Sequence, residues 1–301
     1  MAETTRNGRA ARSGGPARTA AEDLLTSREN RWLKEFRVAL RGGVATANGA
    51  VGVEGVRLVE EALTSGCRVE AVLFSESGER HRARLAPLVG KAEIGVPVLR
   101  TTDRLFEGVA DTEHPQGVAA LVVPRKAEMA DVLATPERAC APLLVVLAGV
   151  QDPGNVGTIL RTAAAFGATG VVTTATGQSG TASPFAPKAM RASAGAALHL
   201  PIVSGMALGI LLTQLKLNGI RTVASCVQDE GVDAMAPWEV EWCKPIALLV
   251  GNEGAGLPQE VVHAAEGRIH IPMATGVESL NAASAATVVL YEAYRQRAKK
   301  G

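Results

Sequence analysis

The stretch at residues 143–174 restricts the possible folds of this chain more than any other. Its sequence, LLVVLAGVQDPGNVGTILRTAAAFGATGVVTT, places two runs of branched apolar residues around a Pro-Gly turn and a helix-like segment. This pattern predicts a buried strand, a tight turn, a helix and a second buried strand. Between Asp152 and Lys188 the only charged residue is Arg161. A lone guanidinium among small and apolar residues is costly unless an anion or a strongly polar group meets it, so Arg161 is the first candidate functional residue.

The second half of the chain continues with apolar strands that are separated by helical segments. These strands have the continuous apolar character of a mostly parallel sheet that is covered by helices on both faces. The last helix is predicted over residues 280–297, where apolar residues recur at helical spacing. The predicted strands cover residues 143–148, 170–174, 220–225, 246–250 and 269–271.

The first half also alternates between strands and helices, which predicts a smaller α/β domain. It begins with a helix at residues 28–41, and its strands are predicted at residues 50–53, 69–74, 96–99 and 117–123. The next residues, 124–142, are polar with a proline at each end, as is typical of a linker. The predicted division is a disordered basic tail (1–27), a smaller α/β domain (28–123), a linker (124–142) and a second α/β domain (143–301).

Positive charge is concentrated in the first third of the chain, although the formal net charge of the whole is only +1. The arginine-rich tail lacks apolar periodicity and is expected to be disordered; a transit peptide or an RNA-binding tail are open alternatives. The helix at residues 28–41 has a broad basic face, which is either an ordinary solvated surface or a stripe that faces RNA. The candidate RNA-contacting residues are Arg28, Arg31, Lys34, Arg37, Arg41, Arg80, Arg82 and Arg84.

The sequence lacks the signatures of several other classes of protein. Four cysteines lie far apart without a CxxC pair, which argues against zinc and disulfide frameworks and favours reduced thiols in a cytosolic protein. The five histidines show no metal-ligand spacing, so no metal is expected, and neither a GxSxG elbow nor a Walker GK[ST] motif is present. No apolar stretch has the character of a membrane-spanning helix or a secretory signal.

Three polar turns follow three apolar strands of the second half. The first is QDPGN at residues 151–155, the second is GNEGAGLP at residues 251–258, and the third is the small-residue loop at residues 272–281. Ligands of open α/β sheets bind outside the carboxyl ends of the strands, so the three turns are expected to meet at one crevice. The GxxGxG order of the second turn differs from the GxGxxG of dinucleotide folds, and alone it is a weak signal for nucleotide binding.

Structural roles compete with functional ones at these turns. Asn155 is a good candidate N-cap for the helix that carries Arg161, and Ser279 is a candidate cap for the last helix. Arg161 could form a structural ion pair with Glu253, which is the only charged residue between Lys244 and Glu260.

Taken together, these residues resemble the SpoU (TrmH) class of RNA ribose 2′-O-methyltransferases in the SPOUT superfamily. The resemblance lies in DPGNVGTILRTAAAFGA, LLVGNEGAGLP and IPMATGVESLNAASAATVVLYEAYRQ, and in SPFAPKAMRASAGAALHLPI between them. In the first half, GVEGVRLVEEAL and DTEHPQGVAAL resemble the ribosomal-protein-like substrate-binding domain of that family. The resemblance extends from about residue 27 to residue 296.

This resemblance implies a parallel sheet with a deep trefoil knot, a homodimer formed through the second domain, and S-adenosyl-L-methionine as methyl donor. It implies a catalytic and ribose-binding site of Asn155, Arg161, Glu253, Ser279 and Asn281. It implies a cofactor site of Val250, Gly251, Asn252, Gly254, Ile271, Met273, Ser279 and Leu280.

The expected function is methylation of a ribose 2′-OH in RNA, in the cytoplasm. Large-subunit (23S-type) rRNA is favoured over tRNA because of the additional substrate domain, and this preference rests on family analogy. Housekeeping modification and antibiotic resistance are not distinguished by the sequence. The alternatives are a tRNA methyltransferase, a non-catalytic RNA-binding or ribosome-assembly protein, and, less favoured, a dehydrogenase.

Overall fold

The computed structural model describes residues 23–92, 95–135, 141–175, 180–227, 233–276 and 279–299. Within these ranges the chain forms two sheets, one of five strands in the first half and one of six in the second. No helix of the described ranges has the length and apolar character that crossing a membrane would require. The predicted α/β class is confirmed.

The first sheet is mixed. It consists of β1 (Asp23–Leu25), β2 (Val51–Glu54), β3 (Arg68–Ser75), β4 (Val98–Thr101) and β5 (Val118–Val123), in the spatial order β1-β4-β3-β5-β2. Strands β1, β4 and β3 are parallel neighbours, and β5 runs antiparallel to both β3 and β2. The helices are α1 (Arg31–Leu40), α2 (Val56–Thr64), α3 (Arg82–Ala92) and α4 (Asp103–Glu107).

Helices α1 and α2 connect this sheet to different apolar cores. Leu33, Phe36 and Leu40 of α1 pack with Leu73 of β3 in a core that belongs to the first domain. Helix α2 instead contributes to a cluster that continues into the second half of the chain. Polar contacts join the halves as well, since the Asp111 carboxylate pairs with Arg191 at 2.6 Å and the Cys67 thiol donates to the Leu198 carbonyl at 3.5 Å. The two domains therefore pack against each other directly.

Two parts of the predicted domain division differ from the structure. Residues Asp23–Leu25 fall in the predicted disordered tail, but they form β1 because their backbone pairs with the edge of β4; residues 1–22 lie outside the described residues. The predicted linker contains helix α5 (Met129–Leu133), whose Val132 is fully buried in the core of the second domain. Met129 and Leu133 of the same helix pack against this core, although the composition of the segment as a whole is polar.

The second sheet is entirely parallel, as predicted. Its strands are β6 (Leu143–Leu147), β7 (Gly170–Thr174), β8 (Ile202–Met206), β9 (Arg221–Ser225), β10 (Ile246–Val250) and β11 (Gly267–Ile269), in the order β11-β9-β10-β6-β7-β8. Helices α6 (Pro153–Ala165), α7 (Pro187–Ser193), α8 (Leu208–Leu217), α9 (Gln259–Ala264) and α10 (Ala282–Ala298) cover it. Strand β8 and helix α8 were not predicted, since β8 lies at the edge and is buried at only one of its five residues.

The strand order brings two of the predicted turns side by side. Strands β6 and β10 are direct neighbours in register, with Leu147 opposite Val250. The Ala148 N–H then donates to the Val250 carbonyl at 2.8 Å. The loops that leave these two strands consequently begin at the same edge of the sheet, as the carboxyl-end rule predicts.

Candidate active site

The first turn initiates α6 three residues earlier than predicted. Asp152, not Asn155, is the N-cap, and its carboxylate accepts the Asn155 N–H at 3.0 Å. The reason is Pro153, whose fixed φ and missing N–H suit the first helical position. The Asn155 side chain is therefore not used for capping and is available for other contacts.

The Glu253 carboxylate joins the second turn to the first. It accepts the backbone N–H groups of Gln151 at 3.1 Å and Asp152 at 3.0 Å, and the Asn155 side-chain amide at 2.9 Å. Partial burial acts to raise the pKa of Glu253, but the hydrogen bonds from Asn155 and the backbone together lower it below its ordinary value. The carboxylate is thus ionised and held by three donors.

Asn281 adds the third turn to this network. Its side-chain oxygen caps α10 by accepting the Ala283 N–H at 2.9 Å and the Ser284 N–H at 3.2 Å. Its amide nitrogen donates to the Asn155 side-chain oxygen at 3.0 Å. Since the ionised Glu253 can only accept, the orientations of both asparagine amides follow from the network. Asn281, rather than the predicted Ser279, is the helix cap.

Arg161 does not join this network. It lies six residues after Asn155 on α6, about 9 Å further along the helix axis. Its side chain is exposed, and among the described residues it has neither a hydrogen bond nor an ion pair. The alternative ion pair with Glu253 does not form, because the Glu253 oxygens accept hydrogen bonds from the first turn. The predicted cost of an isolated guanidinium does not arise in this chain, since water solvates it.

A cavity of about 530 Å³ opens beside the network, between β9, β10 and α10. All eight predicted cofactor residues line it: Val250, Gly251, Asn252, Gly254, Ile271, Met273, Ser279 and Leu280. The prediction missed Ser225, Cys226 and Val227, which follow β9 and also line the cavity. Because β9 is the parallel neighbour of β10, the carboxyl-end rule could have found them once the strand order was known.

The loop after β10 is held in a fixed shape. A Cβ at Gly251 would lie 2.3 Å from the Gly256 carbonyl carbon, so only glycine fits this close approach of backbone. The Asn252 side chain donates to the Gly149 carbonyl at 2.9 Å and accepts the N–H groups of Gly254 and Ala255, each at 2.9 Å. Asn252 thus shapes the cavity wall through backbone contacts.

The walls of the cavity combine apolar and polar surface. Leu248, Val262, Ile269 and Val289 contribute aliphatic surface. Burial raises the pKa of the Cys226 thiol, so this side chain is neutral as well. A cavity of this size and character suits a small organic ligand. Among the described residues, no group of three or more His, Cys, Asp or Glu side chains could hold a metal ion.

The candidate RNA-contacting residues differ in whether their charged groups already have a partner within the protein. Arg84 forms a two-pronged ion pair with Glu60, and Arg82 lies 3.6 Å from the Glu79 carboxylate. Lys34 pairs with Glu29 at 2.6 Å, and Arg37 is half-buried and donates to the Gly108 carbonyl at 3.4 Å. By contrast Arg28, Arg31, Arg41 and Arg80 are exposed. Of the three arginines at positions 80, 82 and 84, the last two therefore already have carboxylate partners within the protein.

Two known families match the two halves of the chain. The pattern of the SpoU rRNA Methylase family matches residues 142–291, and that of the MRM3-like substrate binding domain matches residues 46–120. The first contains the three turns and the cavity described above. The second extends from before β2 into the first half of β5.

Individual relatives match over nearly their full lengths. The 23S rRNA (guanosine(2553)-2′-O)-methyltransferase RlmP of Bacillus subtilis is 30% identical, over 89% of this chain and 97% of that protein. The 23S rRNA (uridine(2479)-2′-O)-methyltransferase of Streptomyces viridochromogenes is 31% identical, over 95% of this chain and 96% of that protein. The crystal structure of an AdoMet-bound rRNA methyltransferase from Sinorhizobium meliloti has a TM-score of 0.76 and 27% identity, over 91% of this chain and 97% of that one.

Proposed function

This chain belongs to the SpoU family of RNA methyltransferases, and we propose that it transfers a methyl group from S-adenosyl-L-methionine to a ribose 2′-OH of 23S rRNA. The observation that carries the proposal is the hydrogen-bond chain from Glu253 through Asn155 to Asn281. It joins the three family motifs at the mouth of one cavity. The two characterised relatives act on a guanosine and a uridine, so family membership leaves the base of the target nucleotide open.

The cavity after β10 is the proposed cofactor site. Its aliphatic walls suit the flat, weakly polar adenine ring, while backbone groups around Gly251 and Ile271 are available for the polar parts of the cofactor. Leu280 and Met273 add apolar surface, and the exposed Ser279 lies where the cavity meets the Asn281 cap. When bound, S-adenosyl-L-methionine supplies a methyl group that is already activated by the sulfonium, so the protein has to position and activate the acceptor.

The acceptor side is proposed to be formed by Asn155, Asn281, Ser279 and Arg161. A ribose hydroxyl is a weak nucleophile, and in-line positioning together with removal of its proton accelerates the reaction. The two asparagines are immobilised by their hydrogen bonds and can orient the ribose. Arg161 stays protonated and has no partner among the described residues, so it is suited to bind the phosphate of the target nucleotide and to polarise the 2′-OH.

Glu253 is a poor proton acceptor in this arrangement. Its pKa lies below the ordinary value, and its oxygens already accept three hydrogen bonds. We therefore propose that the proton leaves to water by way of the RNA phosphate that Arg161 binds, because a phosphodiester is itself a weaker base than a carboxylate and would pass the proton on. Glu253 then acts by holding Asn155 and the first turn in place.

The same family membership supports a homodimer through the second domain. Val288, Tyr291 and Tyr294 of α10 are 43%, 54% and 46% exposed, and both tyrosine rings lie within 6 Å of the Phe166 ring. Such an apolar patch on α6 and α10 would be covered by a second copy. Sedimentation of the full chain as a monomer at micromolar concentration would contradict this proposal.

Three further expectations remain proposals. We retain the deep trefoil knot, which the family resemblance implies, and the division into a substrate domain at residues 28–123 and a methyltransferase domain at residues 143–301. We also retain a cytoplasmic location, where rRNA and reduced thiols such as Cys67 would both be found.

Transfer of tritium from labelled S-adenosyl-L-methionine to 23S rRNA tests the function, and mapping of 2′-O-methyl sites identifies the nucleotide. Arg161→Ala should lower methyl transfer at least about 100-fold, since one positioned charge-assisted contact is lost. Arg104→Ala removes an exposed arginine of the first domain and serves as the control. Near wild-type transfer by Arg161→Ala would contradict the assigned role, and absence of any RNA methylation by the wild type would contradict the function.

A further inference from the structure

A second cavity, of about 260 Å³, lies in the first domain and is separate from the cofactor site. Four segments form its walls: the first turns of α1, the residues that lead into β2, the start of β3, and the residues that lead into β4. Its side chains include Arg31, Trp32, Glu35, Asn48, Arg68 and Glu70. We name this cavity the α1 pocket. Its volume is below the roughly 300 Å³ at which pockets for drug-sized ligands begin, so it suits a single ring system.

The charges of the α1 pocket are balanced. Two arginines, Arg31 and Arg68, and two glutamates, Glu35 and Glu70, line it together, and Arg68 pairs with Glu70. A free phosphate would meet two carboxylates and a metal ion would meet two guanidiniums, so neither is favoured. A neutral ligand that carries both hydrogen-bond donors and acceptors matches this arrangement.

The α1 pocket also has a flat wall. The Arg31 guanidinium lies over the Trp32 ring, with its central carbon 4.8 Å from the ring centroid. Trp32 itself is half-buried against the core of the first domain, which fixes the ring. Aromatic rings and arginine planes are the surfaces on which unpaired bases stack. This wall therefore favours a planar, aromatic ligand.

The Glu70 carboxylate indicates that the ligand has hydrogen-bond donors on one edge. Its side chain is only 8% exposed, and its ion-pair partner is Arg68 at 3.0 Å, whose side chain is 54% exposed. A nearly buried carboxylate with one half-exposed partner has remaining capacity to accept hydrogen bonds. Guanine presents N1–H and N2–H as adjacent donors on one edge and O6 and N7 as adjacent acceptors on another. Carboxylates and guanidiniums in one pocket match these two edges.

We propose that the α1 pocket binds a guanine base, with Glu70 accepting from its Watson–Crick edge and Arg31 or Arg68 donating to O6 and N7. The base could come from an unpaired guanosine of the RNA or from a free guanine nucleotide. The RNA source rests on the proposed function, whereas guanine binding itself does not.

Isothermal titration of the full chain with GMP, IMP and AMP tests the pocket. GMP should bind at least about tenfold more tightly than IMP, which lacks the 2-amino donor, and AMP should bind more weakly still. Glu70→Gln should abolish the preference for GMP over IMP. Arg68→Ala, at a half-exposed position, should weaken GMP at least about tenfold, and Arg104→Ala should leave GMP binding unchanged.

Photocrosslinking of 23S rRNA fragments that contain 6-thioguanosine then distinguishes the two sources. A crosslink to the peptide that contains Trp32, competed by GMP, supports the RNA source; saturable GMP binding without this crosslink supports a free nucleotide. Absence of saturable GMP binding and of the crosslink would overturn the proposal, as would an unchanged GMP preference in folded Glu70→Gln. GMP binding is measured without cofactor or methyl transfer, so its failure is separate from failure of the proposed function.

Discussion

Asn281 performs two tasks that substitution can separate. Its side-chain oxygen caps the 17-residue helix α10, and its amide nitrogen holds Asn155. Asn281→Ala removes both tasks. Loss of the cap costs about 1 kcal/mol, and loss of one neutral hydrogen bond costs about 1 kcal/mol more. The free energy of unfolding should therefore fall by about 2 kcal/mol, which urea denaturation measures.

Asn281→Asp removes only the second task. An aspartate oxygen can still accept the Ala283 and Ser284 N–H groups, and a negative charge is favourable at a helix N-terminus. The carboxylate cannot donate to the Asn155 oxygen, however, so the network is broken at that point. Stability should stay within about 1 kcal/mol of the wild type. Single-turnover methyl transfer should fall at least about 100-fold in both variants, because Asn155 loses its fixed position.

Thr102→Ala provides the matched control for capping. Thr102 caps α4 in the first domain by accepting the Leu105 N–H at 3.3 Å, and it does not contact the cavity after β10. This variant should lose about 1 kcal/mol of stability and keep its rate of transfer at saturating RNA and cofactor. A wild-type rate in Asn281→Asp would refute the reasoning, and so would a rate loss in Thr102→Ala as large as that in Asn281→Ala.

Two further predictions concern charge. The pKa of Glu253 lies below the ordinary 4.5. Its ionised form therefore contributes to the free energy of unfolding above about pH 4.5, and this contribution is lost as the pH falls through the depressed pKa. Glu253→Gln should remove this part of the acid sensitivity, which urea titrations between about pH 3 and pH 7 measure. Equal pH dependence in both proteins would contradict the assignment. Arg41→Glu should weaken RNA binding and lower, by about one, the slope of the logarithm of the binding constant against the logarithm of the salt concentration. Arg84→Glu should have less effect on that slope, because Arg84 is already paired with Glu60. Equal slopes in the two variants would assign Arg41 to ordinary solvation.

The alternation of apolar strands and helices predicted both sheets, because strands buried on both faces produce continuous apolar runs. Strand β8 was missed for the opposite reason, since most of its residues are not buried and carry no such signal. Strand β1 was missed because its pairing with β4 depends on backbone contacts across 76 positions, such as Leu24 with Arg100. Pairing at that separation leaves no local trace in the sequence.

The sequence pointed to the residues that meet at the candidate site, but it did not predict which of them cap helices and which bind one another. Strand ends predicted that the three turns meet, and the family resemblance implied a site that includes Asn155, Glu253 and Asn281. For the helix caps, however, the sequence suggested Asn155 and Ser279. The structure assigns capping to Asp152 and Asn281, because Pro153 fixes where α6 starts and Asn281 precedes the first α10 N–H groups. The ion pair between Arg161 and Glu253, which the sequence left open as an alternative, does not form, since the Glu253 carboxylate is held by donors from the first turn.

One part of the site is already held by hydrogen bonds among the residues that the structure describes, and the other part has no partner there. The Glu253 carboxylate and the Asn155 and Asn281 amides hold one another, so little reorganisation is needed when a ribose arrives. Arg161 is exposed and, within the described part of the chain, has no anionic partner. A phosphate that binds there would therefore displace water rather than break an ion pair in the protein. In this proposed arrangement the RNA itself completes the site, and the arginine acts only when its substrate is bound.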